Sequence, residues 1–119
     1  MSTDSLHLPQ ARIGDIQLGA VSCEAVLDDG ELVDALLSVD EVTTNHLVID
    51  LLTVSTEELT INRELVPAGK AVQFRVDFSG TSVVAGTYCL QVTVRTDSTP
   101  AQTRTFVVQV LVRAADDCA

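Results

Sequence analysis

The chain has 119 residues, a formal net charge of −10 from 17 acidic and 7 basic side chains, and a composition 46% hydrophobic but only 3% aromatic, with no Trp. Such a length supports one domain with a single core, built here on Val, Leu and Ile. The acidic balance argues against nucleic acid and anionic membrane as partners, because phosphate binding needs concentrated Lys and Arg.

The opening segment, "MSTDSLHLPQARIGD", has no basic region followed by an apolar one, so it does not read as a secretory signal. No run approaches the ~18 apolar residues of a membrane span. Residues 1–12 lack periodicity and contain Pro9. They are expected to form an extended arm, ordered only where something holds it. Residues 13–113 are expected to make the one domain, and "AADDCA" (114–119) a tail.

"DIQLGAVSCEAVL" and "ELVDALLSV" fit strands or short helical turns, and the "DDGE" turn between them, Asp28 to Glu31, favours strands. "HLVIDLLTVS" (46–55) is an almost continuous apolar run with β-branched members, which predicts a long buried strand. "ELTINREL" and "VPAGK" add a short strand and a turn. In "AVQFRVDF", Val72, Phe74, Val76 and Phe78 alternate with Gln73, Arg75 and Asp77, the period of a half-buried strand. "SGTSVVAG" reads as a loop. Tyr88, Leu90, Val92 and Val94 then share one face of the next strand, and Cys89, Gln91, Thr93 and Arg95 the other. "DSTPAQ" is a turn, since Pro100 cannot donate to a ladder. In "TRTFVVQVLVR", Phe106, Val108, Val110 and Val112 form one face, while the opposite face, Val107, Gln109 and Leu111, is also largely apolar. A second apolar face suggests cover or a partner subunit. Burying Val107 and Leu111 would contribute roughly 3 to 5 kcal/mol per subunit.

About seven or eight strands with turn signals every 8 to 12 residues, and no persuasive amphipathic helix, predict an all-β antiparallel sandwich of immunoglobulin-like type. In that architecture a Tyr opens the sixth strand two residues before a core position. Gly86, Tyr88 and Leu90 fit this corner, with Leu90 in the core and Cys89 on the opposite face.

Chemistry-bearing constellations are scarce. The acidic clusters Asp28-Asp29-Gly30-Glu31, Asp40-Glu41 and Glu57-Glu58 lack Ca²⁺-loop spacing and read as solvated turns. His7 and His46 stand alone, and Cys23, Cys89 and Cys118 have no metal-ligand spacing and read as free thiols. No nucleophile, base and orienting group fall at catalytic spacing, so no enzyme activity and no cofactor are expected. Cys89, flanked by Gln91 and Thr93, is either a half-exposed thiol or part of a subunit contact with Val107 and Leu111.

"PQARIGD", "INRELVPAGKAVQFRVDFSG" and "AGTYCLQVTVRTDSTPAQTRTFVVQVLV" together resemble the immunoglobulin-like virion proteins of tailed bacteriophages, the fibre-tail adaptor and neck-region proteins. The match is fullest over the last 30 or so residues of the sandwich, and the chain departs from the pattern in lacking a mid-chain Trp strand. The resemblance implies a virion structural protein without catalysis, made in the host cytoplasm. Its expected partners are tail, neck, fibre or capsid proteins and further copies of itself. A capsid decoration or cement protein is a close variant. A carbohydrate or cell-surface binding module is the alternative from another class, but the three Phe fall on core-facing positions 74, 78 and 106 and leave no aromatic platform for sugars.

Overall fold

The computed structural model describes residues 6–44 and 46–114. Ten strands run in chain order as β1 (Leu6–His7), β2 (Ala11–Arg12), β3 (Ile16–Ser22), β4 (Val33–Glu41), β5 (Val48–Val54), β6 (Leu59–Ile61), β7 (Glu64–Val66), β8 (Ala71–Asp77), β9 (Gly86–Thr96) and β10 (Thr103–Arg113). Between β3 and β4, where the sequence left strand and helical turn open, the chain takes a single 3₁₀ turn at Glu24–Val26. The longer sheet has the order β10-β9-β4, with β1 and β2 both added to the far side of β10. The shorter sheet is β3-β8-β5, and β6 pairs only with β7. In the letter scheme of immunoglobulin-like sandwiches these sheets are C-F-G and B-E-D, and the predicted all-β sandwich is what the chain forms.

Alternation makes the core. Val72, Phe74 and Val76 on β8 face Leu90, Val92 and Val94 on β9 and Val108, Val110 and Val112 on β10, all at most 1% exposed. Phe78 is equally buried, whereas Phe106, near the start of β10, is only half-buried. Each such side chain contributes roughly 1.5 to 3 kcal/mol over its exposed state. With so few rings, the aliphatic residues supply most of that burial.

Of the expected arm, residues from Leu6 on belong to the sandwich. Leu6 and His7 pair with Val108 and Gln109, and Ala11 and Arg12 with Val112 and Arg113, all in parallel. Pro9, which has no N–H, separates the two pieces. Leu8 turns inward and is 9% exposed. It closes the gap between the sheets by lying on Gly19, where a Cβ would come 3.1 Å from Leu8 Cδ2 and 3.3 Å from the Phe74 ring.

One prediction is corrected. The apolar run at 46–55 is not a buried strand: β5 is an edge strand, with Val48 61%, Leu51 62% and Leu52 38% exposed. Its register against β8 slips between Asp50 and Thr53, and Leu51 takes a positive φ of 54°. The bulge breaks the alternation, so Ile49 and Val54 alone among its apolar residues pack against the core.

Candidate functional site

The residues singled out from the sequence lie on β9 and β10, and the two strands divide them by face. Gly86 begins β9 at φ 153°, a backbone that L side chains rarely adopt. This brings Tyr88, 2% exposed, under the preceding loop. Its hydroxyl donates to the Val84 carbonyl (2.6 Å) and accepts the Val84 N–H (3.0 Å). Leu90, fully buried, follows on the same face. These three residues build the corner of the sandwich.

Val107, Leu111 and Cys89 sit on the outer face of the longer sheet. Val107 is 44% and Leu111 36% exposed, and they pair with Gln91 and Thr87 of β9. Cys89 pairs with Gln109, is half-buried, and donates its N–H to Thr43 Oγ1 (2.9 Å). Because more than half of each apolar side chain is already covered by its own sheet, complete burial of the pair would add only about 1 to 2 kcal/mol per subunit, less than the sequence suggested. The face is more distinctive for its charge. Thr87, Cys89, Gln91 and Thr93 on β9 and Thr105, Val107, Gln109 and Leu111 on β10 carry none, and the exposed Asp40 of β4, paired with Gln91, marks the border of the patch on that side. At one end of the patch Arg95 is held by Asp34, Nη2 to Oδ2 at 2.6 Å. At the other end Arg113 donates from Nε to Gln10 Oε1 at 3.0 Å. Where Pro9 breaks the arm, a shallow groove bordered by Leu8, Gln10, Gln109 and Leu111 adjoins the patch. On a chain of net charge −10 a charge-free face is the exception. Depletion of charge is also what marks the centre of a protein interface.

Two of the three acidic clusters hold a structural glutamate, while Glu57 and Glu58 are exposed. Glu31 is 7% exposed and accepts the Asp28 N–H (2.7 Å) and Arg104 Nη1 (2.6 Å). Arg104 also donates to the Val26 carbonyl, to Asp28 and to Gln102, tying the 28–31 turn to β10. The Asp28 N–H first, then the Ser98 hydroxyl and the Arg104 guanidinium, hold the Glu31 carboxyl below its usual range. Glu41, 3% exposed, gathers the loop after β4: its carboxylate accepts from the N–H groups of Thr43, Thr44 and His46 and from the Thr44 hydroxyl, at 2.5 to 2.8 Å. Sequence reading treated both glutamates as solvent-facing. The signal that could have found Glu41 is its phase on β4, which puts it on the Val39 side, though two register shifts along that strand obscure the count.

Among the described residues no group of His, Cys, Asp and Glu is arranged to hold a metal ion. His46 is exposed and only its backbone takes part in the Glu41 loop. Cys23 is 1% exposed, and burial pushes its thiol up to about 12, which leaves it an inert core thiol. Cys23 and Cys89 are both free, and Cys118 lies outside the described residues. No protein-family model and no curated protein sequence matches this chain.

Proposed function

We propose that this chain is a structural protein of a tailed-bacteriophage virion, a non-enzymatic adaptor or connector that joins tail, neck or fibre components through repeated protein–protein contacts. The observation that carries the reading is the charge-free outer face of β9 and β10, centred on Val107, Leu111 and Cys89. The resemblance of the "AGTYCLQVTVRT" strand and its neighbours to phage adaptor and neck proteins supplies the particle. A modest gain at each contact suits this role, since symmetry multiplies it over many copies without a tight pairwise bond. The host cytoplasm is the place of synthesis and the virion the destination.

Mass spectrometry of gradient-purified particles from the source tests the reading. The chain is expected there at a fixed copy number per particle, and its absence would overturn the proposal. Val107→Glu is expected to lower the thermal midpoint by no more than a few degrees, because nearly half of the side chain is exposed, and to remove the chain from the particle. Undiminished incorporation would take this face out of the account.

A further inference from the structure

We propose that two copies of this chain associate through the free edge of β3, which pairs antiparallel with itself about a two-fold axis near Leu18 and joins the two shorter sheets into one continuous six-stranded sheet. Among the described residues the two main sheets have four edges, and three carry a device that discourages a further strand. The arm is broken at Pro9, β4 has register shifts between Val33 and Ala35 and between Leu36 and Ser38, and β5 has the bulge at Leu51. Only β3 has none. Its register with β8 is unbroken from Ile16 to Ser22, and it contains no Pro and no charge.

The backbone phase shows what this edge offers. Cys23 donates its N–H to the Lys70 carbonyl and Phe78 to the Asp15 carbonyl, both at 2.8 Å, so the odd-numbered residues of β3 face β8. The N–H and C=O groups of Ile16, Leu18 and Ala20 therefore point to the open side, where among the described residues no strand pairs with them. Ile16 is 57% and Leu18 79% exposed, and Leu18 is the most exposed large hydrophobic residue among those described. Pro9 of the arm, which is exposed, borders Leu18 and Gly19.

Charge and area select a second copy as the occupant. A chain of net charge −10 repels its own copy across any acidic face, yet from Ile16 to Cys23 there is no charge to oppose. Seven residues of strand run about 23 Å, and with a sandwich 26 Å across the strip comes to about 600 Å² per copy. Two copies then bury about 1,200 Å², the lower bound for a specific interface, which defines a reversible dimer and not an obligate one. This contact is separate from the outer face of the longer sheet and does not depend on the virion reading.

Sedimentation equilibrium on the purified protein between about 10 µM and about 1 mM, the range in which a contact of this size titrates, is the test. The mass is expected to rise to that of a dimer. Leu18→Lys should hold it at the monomer, and Val107→Glu should leave the dimer intact. Amide exchange on the wild type reads the same contact without a variant. Ile16, Leu18 and Ala20 should gain at least about tenfold protection with concentration, while Gln17 and Gly19 stay unchanged. A wild type that remains monomeric throughout, a dimer that survives Leu18→Lys, or concentration-dependent protection confined to other strands would each overturn the proposal.

Discussion

Tyr88 holds the loop between β8 and β9 by a hydroxyl that both gives and receives a hydrogen bond at Val84. Removing that oxygen keeps the ring in the core and isolates the polar term. Tyr88→Phe is expected to cost about 1 to 2 kcal/mol in urea unfolding at unchanged m-value, because Val84 is exposed and water can replace one of its lost partners. A loss under a few tenths of a kcal/mol would show that the corner is held by packing alone. This residue was legible in the sequence, since period-2 alternation places it in the core and Gly86 ahead of it marks the turn. Glu41 was not. Its partners are mostly backbone amides of a loop whose side chains, Thr43, Thr44 and His46, give no pattern, and a carboxylate beside Asp40 looks like any acidic turn.

At the scale of elements, β8, β9 and β10 were readable because each alternates over seven or more residues, and a core face against a polar face sets the phase of β8 and β9. β5 was misread because an apolar run fits a central strand as well as an edge strand whose outer face is apolar, and only topology separates the two. The hairpin β6–β7 shows a finer failure. Asn62 and Arg63 link it with φ of 52° and 69°, the two positive angles of a type I′ turn, in which the second position favours Gly. "NR" does not announce such a turn as "NG" does. Arg63→Gly is expected to stabilise the protein by about 0.5 to 1 kcal/mol, the relief of the positive φ exceeding the added freedom of the unfolded chain. A thermal midpoint that falls in calorimetry would count against this turn geometry.

For the molecule as a whole, Glu31, Asp50 and Asp77 have carboxyls held below their ordinary range in the folded state. Glu31 is held chiefly by the Asp28 N–H, Asp50 by its two-point hydrogen bond with Arg75, and Asp77 by the Ser79 hydroxyl. As pH falls, the unfolded chain takes up protons at these groups before the folded one does, so stability falls with pH. The contribution is complete above the unfolded carboxylate range, about pH 4 to 4.5, and is lost as pH drops through the lower folded values. Calorimetry is expected to show a thermal midpoint level above about pH 5 and descending below about pH 4, with a shallower descent for Glu31→Gln. A midpoint that holds or rises between those limits would count against the linkage.

Pairing β1 and β2 in parallel with β10 also decides how the sandwich carries a load. Leu6, near the start of the chain, lies beside Val108, while Arg113, near its end, lies about two turns of pleat farther along the same direction. A pull between those two ends runs along the strands and across their hydrogen bonds, including Leu8 N–H to Gln109 O and Ile13 N–H to Arg113 O, both 2.9 Å. The bonds are sheared together instead of being unzipped one after another, so tension meets the whole seam at once. The sandwich's resistance to such a pull comes from that seam, and Pro9, by dividing it in two, sets how much of it acts together.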